Sequence, residues 1–147
     1  LEIEKMQNNE RKDRPCAARV RPNYEEVMTL LRHDSQRWKN EEYGGYDDRW
    51  DFINEYGLSF DWVEGKTDYN PGAGYYRWQL SWGGPSDEFR FYMDGDRFYV
   101  IEYWFMDWYD GACYTVPKNQ DFDDLEQIAY DFGVNDWVTN HRDDAEV

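Results

Sequence analysis

The sequence predicts an α+β fold: an antiparallel β-meander of four or five strands, with an N-terminal and a C-terminal helix packed on one face. Three observations predict it. The spacing of apolar residues changes from a helical to a two-residue period near Leu58. Asp94-Gly95 lies between two alternating runs, the strongest short hairpin signal in the chain. After Pro117 the spacing becomes helical again. The 147 residues are enough for one domain with a sizeable core.

Residues 1–22 are polar, charged and interrupted by Pro15 and Pro22. They read as a mobile basic arm or linker ahead of a single acidic domain over 23–147. Asn23 is the expected N-cap, with Glu25 and Glu26 in the first turn, where acids suit the helix dipole. Tyr24, Val27, Leu30, Leu31 and Trp38 then predict a helix from Tyr24 to Glu42, ended by Gly44-Gly45. Residues 46–56 fit a second short helix, in which Trp50, Phe52 and Ile53 share a face and Gly57 is the stop.

Strand patterns follow. Leu58, Phe60 and Trp62 alternate with Ser59, Asp61 and Val63, and the Gly- and Pro-containing stretch 65–74 is a loop. In the run Tyr75 to Trp82, one side would carry Tyr76, Trp78, Leu80 and Trp82, the other Tyr75, Arg77, Gln79 and Ser81. Gly83-Gly84-Pro85 makes a corner, and Glu88 to Met93 is the next strand. A type I′ turn at Asp94-Gly95 leads into a long strand from Arg97 to Trp108, apolar on both faces except at Glu102. Asp110-Gly111 turns the chain into a short strand from Ala112 to Val116. Asp121 or Asp123 would cap the last helix, whose stripe is Leu125, Ile128, Ala129 and Phe132, with Gly133 at its end and a further turn over Asp136 to Asn140.

Composition sets the chain apart twice. Aromatic residues make up 20% of it, so the core is built from rings rather than from Leu and Ile. The net charge is −16, although residues 1–22 hold more basic than acidic side chains. Such a surface repels nucleic acid and anionic membranes, so direct binding to either is not expected. What it attracts is a basic protein surface. Cys16 and Cys113 lack metal spacing and read as free thiols in a reducing compartment. No apolar run is long enough to span a bilayer, so a cytoplasmic location is expected.

No motif points to catalysis, and no catalytic set, metal or cofactor is expected. The chain has no GxxxxGK[ST], no GxGxxG and no GxSxG. The acids around Asp121 and Glu126 lack the Gly and Glu of a calcium loop. Glu102 is the sharpest candidate acid, because it interrupts an apolar strand; pairing with Arg77 or Arg90 is the plainer account of it. Trp82, Glu102 and Trp104 could form a small-ligand or sugar pocket. Asp107 and Asp110 bracket Trp108 and read as turn residues.

The run Tyr76 to Tyr92, containing SWGGPSDEFRFY, and the run IEYWFMDWYDGA at Ile101 to Ala112 resemble small acidic proteins carried on bacterial plasmids and phages. The similarity extends over residues 43–116. That resemblance implies a mobile-element setting, in which acidic inhibitors of restriction or CRISPR enzymes occur, some as DNA mimics. The expected function is therefore an acidic inhibitor of a basic, nucleic-acid-binding enzyme. The expected contact residues are Asp47, Asp48, Asp51, Asp61, Glu64, Asp68, Trp82, Asp87 and Glu88. An immunity protein for a nuclease toxin, or a ligand-binding domain, are the alternatives, and the oligomeric state is open.

Overall fold

The computed structural model describes residues 15–32 and 49–134. The expected helix end at Gly44-Gly45, Asp47 and Asp48, and the turn over 136–140 lie outside the described residues. Helix α1 spans Cys16–Leu31 and α2 spans Arg49–Tyr56. The strands are β1 (Ser59–Val63), β2 (Tyr75–Ser81), β3 (Pro85–Asp94), β4 (Arg97–Asp107) and β5 (Asp110–Thr115); helix α3 spans Gln120–Asp131. The strands form one antiparallel sheet in sequence order, a five-stranded meander. The α+β architecture expected from sequence is the one observed.

Three helix boundaries differ from expectation. Helix α1 starts at Cys16, not Asn23, and runs through Pro22. Proline within a helix removes a hydrogen bond and costs about 3 kcal/mol. Buried Cys16 and Val20 before it, and Tyr24, Val27, Met28 and Leu31 after it, make one continuous apolar stripe that offsets this cost. Residues 16–22 are therefore helical rather than part of an arm, and α1 ends at Leu31, well short of Glu42. Helix α3 is capped by Asn119, whose side chain accepts from the Asp121 N–H, not by Asp121 or Asp123. Asp121 is instead buried, accepting from the Tyr24 hydroxyl at 2.8 Å and from Arg32 Nε at 2.9 Å. Gly133, at φ +91°, ends the helix as expected.

The core lies between the helices and one face of the sheet. Trp78, Phe89, Phe91, Ile101 and Tyr103 are at most 1% exposed and meet α1 residues Tyr24 and Met28, α2 residue Ile53 and α3 residues Leu125 and Ile128 in one apolar cluster. Rings knit the layers together: Tyr24 lies 5.9 Å from Tyr103, and Phe132 lies 4.7 Å from Phe60. Each fully buried ring of this kind contributes about 1.5–3 kcal/mol.

The second face of the sheet is polar by pattern yet largely shielded. Tyr75 and Gln79, on the side of β2 opposite Trp78, are 4% and 8% exposed. Arg90 lies between the Trp104 ring, 4.1 Å away, and the Tyr75 ring, 4.9 Å away, while its Nε donates to Glu88 at 2.8 Å. Long flat side chains thus bury one another's polar ends.

The β3–β4 turn also departs in detail. Asp94 pairs with Arg97, so Gly95 and Asp96 are the central residues, and only Gly95, at φ +67°, has positive φ. That places glycine first, as a type II′ turn requires, rather than second as in type I′. Strands β3 and β5 both begin earlier than the periodicity predicts, at Pro85 and Asp110. The pairing of Pro85 with Asp107 and of Asp107 with Asp110 draws both turns into the sheet.

Candidate functional site

The meander sorts its connections to two ends. The β1–β2 loop and the β3–β4 turn lie at one end, the β2–β3 and β4–β5 turns at the other. Two of the runs singled out in the sequence, SWGGPSDE and MDWYDGA, meet at this second end.

The meeting follows from register. Counting back from the Asp94–Arg97 pair, past one bulge at Tyr92/Met93, Pro85 falls opposite Asp107. The Trp82-Gly83-Gly84 corner then abuts Trp108. The Trp108 N–H points to the Gly84 carbonyl oxygen at 3.5 Å, and a Cβ on Gly84 would sit 3.7 Å from Trp108 Nε1. Trp108 itself has φ +57°, a left-handed conformation that costs a residue with a Cβ roughly 1–2 kcal/mol.

Helix α1 braces this end. Arg19 Nη1 donates to Asp107 Oδ2 at 2.8 Å, and its guanidinium lies 4.6 Å over the Phe105 ring. The Cys16 N–H donates to Asp110 Oδ2 at 2.8 Å, and the Gly111 N–H donates to Asp110 Oδ1 at 2.9 Å. These bonds, the Cys16 N–H first, hold the Asp110 carboxyl below its usual range. The turn is centred on Trp108-Tyr109, not on Asp110-Gly111 as the sequence suggests; Asp107 and Asp110 close it as a strand pair, and both anchor α1. On this braced frame three large rings stand in solvent: Trp82 is 77% exposed, Trp108 82% and Tyr109 fully so.

The other expected contact residues are scattered. Asp51 is exposed on α2, and Glu64 and Asp68 are exposed at the far end in the β1–β2 loop. Asp61 is held by Arg77 through two hydrogen bonds, at 3.1 and 2.8 Å. Asp87 and Glu88 do not present themselves together to solvent, because neighbouring strand residues point to opposite faces. Asp87 turns to the helix side, accepting from the Tyr103 hydroxyl at 2.6 Å and from Ser81 Oγ. Burial first, and this carboxylate next, push the Tyr103 hydroxyl far above its usual range and Tyr56 up to about 12. Glu88 is 4% exposed on the second face, paired with Arg90.

Of the three expected pocket residues, two come together. Trp104 Nε1 donates to Glu102 Oε1 at 3.0 Å, and the Cys113 thiol lies 3.9 Å from Glu102 Oε2. Burial, with Glu102 beside it, raises the Cys113 thiol. Arg90 stands opposite Glu102 in the register but turns its Nε to Glu88. Arg77 is engaged by Asp61. Trp82 belongs to the corner loop at the sheet end, away from this pair. Cys16 and Cys113 are both free, the first buried and the second exposed. Among the described residues, no group of three or more His, Cys, Asp or Glu is placed to hold a metal ion, and no helix is long and apolar enough to cross a membrane.

Trp108 and Tyr109 are the surface residues that sequence reasoning passed over. Their signal was present: each of two Gly-containing turns has an aromatic residue beside it, and the Asp94-Gly95 hairpin brings those turns together. The chain matches no known family model, no curated protein and no solved structure.

Proposed function

We propose that this protein is an acidic binding protein that occupies the basic, nucleic-acid-binding surface of another protein and so inhibits it. The observation that carries the reading is the excess of carboxylates over basic groups. The described residues include nineteen acidic side chains and nine basic ones. Four of those nine, Arg19, Arg32, Arg77 and Arg90, are held by the chain's own carboxylates. The remaining field is strongly negative and steers a basic partner toward the surface, at a rate that falls with salt.

The bound form of the reading differs from strict imitation of a DNA backbone. Asp61, Asp87 and Glu88 are engaged within the chain, so they do not form a row of carboxylates in place of phosphates. Charge brings the partner in, and other contacts complete the complex. The resemblance to small acidic proteins of plasmids and phages makes host defence nucleases the first class of partner to test.

The experiment is capture from a bacterial host lysate on the immobilised protein, washed through a salt series and challenged with duplex DNA. Retention of a DNA-binding enzyme that both salt and DNA release supports the reading. Retention of nothing at low salt overturns it.

A further inference from the structure

Trp82, Trp108 and Tyr109 form an aromatic end that the fold holds out at a cost. Exposed rings lose the stabilisation of burial, and contiguous ones mark interaction surfaces on soluble proteins. Trp108 adds a left-handed backbone conformation, φ +57°, in a turn where Gly or Asn would be easier. Yet this turn does not float. The Arg19–Asp107 pair and the Cys16 N–H to Asp110 bond fasten it to α1. A fixed backbone with free rings is a preorganised contact, and little further ordering of the backbone is needed on binding.

The same end shows which chemistry suits it. Arg19 lies 4.6 Å over the Phe105 ring while its Nη1 reaches Asp107 at 2.8 Å. On the second face, Arg90 is held the same way, 4.1 Å over Trp104 with Glu88 at 2.8 Å. Two guanidinium groups of this chain, those of Arg19 and Arg90, are thus each received by a ring and a carboxylate together. Trp108 and Tyr109 continue that alternation in Phe105-Met106-Asp107-Trp108-Tyr109-Asp110 but carry exposed rings.

We propose that the Trp82–Trp108–Tyr109 end is the anchor of the complex and docks on an arginine-rich patch of the basic partner protein, guanidinium groups stacking on the exposed indoles. This rests on the proposed function and adds where the partner sits and which side chain it offers. Charge complementarity selects the occupant. A basic surface is drawn by the net charge of −16, whereas a second copy of this chain would bring an equal charge against it. Arginine is favoured over lysine because its planar, weakly hydrated cation stacks on indole.

The test uses the intact protein and a fluorescein-labelled nona-arginine peptide, read by anisotropy in about 0.3 M NaCl, where long-range attraction is largely screened. Three forms are compared: wild type; W82A/W108A; and E64Q/D68N/D94N/D96N, which removes exposed acids from the opposite end. The double variant should bind at least tenfold more weakly at an unchanged melting temperature, because both rings are mostly solvent-exposed. The quadruple variant should lose less than threefold, and nona-lysine should bind wild type at least threefold more weakly than nona-arginine. Wild-type affinity in the double variant overturns the anchor. If the quadruple variant alone loses binding, the anchor falls while charge-driven inhibition stands. No binding of nona-arginine even in low salt overturns both. Equal binding of nona-lysine, or a wild-type dimer in sedimentation that the double variant dissolves, also overturns the anchor.

Discussion

Trp108 lies against the backbone of Gly84, its N–H 3.5 Å from the Gly84 carbonyl oxygen and its indole Nε1 3.7 Å from where a Gly84 Cβ would be. This contact joins two turns that are 24 residues apart in sequence and makes one surface of them. It also explains why an unfavourable backbone conformation persists at Trp108: the turn is fixed by Asp107 and Asp110 on either side, and the ring is left to face outward.

From this follows a trade between stability and binding. Replacing Trp108 by Gly removes a strained left-handed residue at little loss of buried surface. W108G should therefore raise the unfolding free energy by about 1 kcal/mol, or at least leave it unchanged. The same variant should bind a basic partner more weakly. Urea melts and partner binding on one preparation check both halves.

Acid should loosen the joint between α1 and α3. The Arg32 guanidinium first, and the Tyr24 hydroxyl with it, hold the Asp121 carboxyl below its usual range against the effect of burial. A depressed carboxyl contributes stability that is full above its unfolded pKa of about 3.9 and is lost as pH falls through the folded value. Wild type should thus lose stability below about pH 4, and D121N should show a shallower acid limb. D121A should also cost about 1–3 kcal/mol at neutral pH, because the buried Tyr24 hydroxyl loses its acceptor. Urea midpoints from pH 2.5 to 7 measure both effects.

Alkali should act later, through the tyrosines. Burial first, then nearby carboxylates, raise Tyr24 and Tyr103 well above the usual phenol range, and burial raises Tyr76 to about 12. Groups raised in the folded state contribute stability that is complete below their unfolded pKa, about 10, and is lost as pH rises toward the folded values. Absorbance at about 295 nm should show Tyr24, Tyr76 and Tyr103 ionising only together with unfolding, above the ordinary phenol value of about 10.

On the second face, the Glu88–Arg90 pair should be intolerant of half-measures. Removing one partner of a buried ion pair costs about 3–5 kcal/mol. E88Q and R90M should each destabilise strongly. R90K should destabilise too, since an ammonium cannot fill the flat space between Trp104 and Tyr75. Thermal melts of the three variants read this directly.

Glycine positions separate close approach from mere turn preference. A Cβ at Gly57 would lie 2.3 Å from Trp78 Nε1, and one at Gly72 would meet nothing closer than 3.7 Å. G57A should therefore cost about 1–3 kcal/mol by displacing a core indole, and G72A should change little. The pair of melts checks whether α2 ends as tightly against the core as described.

How much of this could be read from the chain depends on the range of the interaction. The strand pattern of β2 to β4 was legible, because Trp78, Phe89 and Phe91 alternate with Arg77, Gln79, Glu88 and Arg90 over a two-residue period, and Ile101 and Tyr103 keep that period around Glu102. The start of α1 was legible in principle, since Cys16, Val20, Tyr24, Val27 and Leu31 keep one stripe; Pro22 masks it, because proline is locally a helix breaker and only the tertiary packing offsets that. The burial of Glu88 was not legible. Its alternation places it on the polar face, and only the register shows that Arg90, Trp104 and Gln79 surround it. Asp87 and Glu88 read as a pair in sequence and are separated by the pleat. The aromatic end required both the hairpin at Gly95 and the bulge at Tyr92/Met93 to be placed, and a one-residue error there moves Trp108 away from Gly84.

The central claim, that this protein takes the place of nucleic acid on a basic partner, is tested most directly by displacement. The enzyme captured from lysate is loaded with fluorescent duplex DNA, and the protein is titrated in while anisotropy reports the DNA. The account predicts that DNA is released as the protein binds, in a mutually exclusive manner, and that higher salt weakens the competitor. A ternary complex, in which the protein binds and the DNA remains with undiminished affinity, would contradict it.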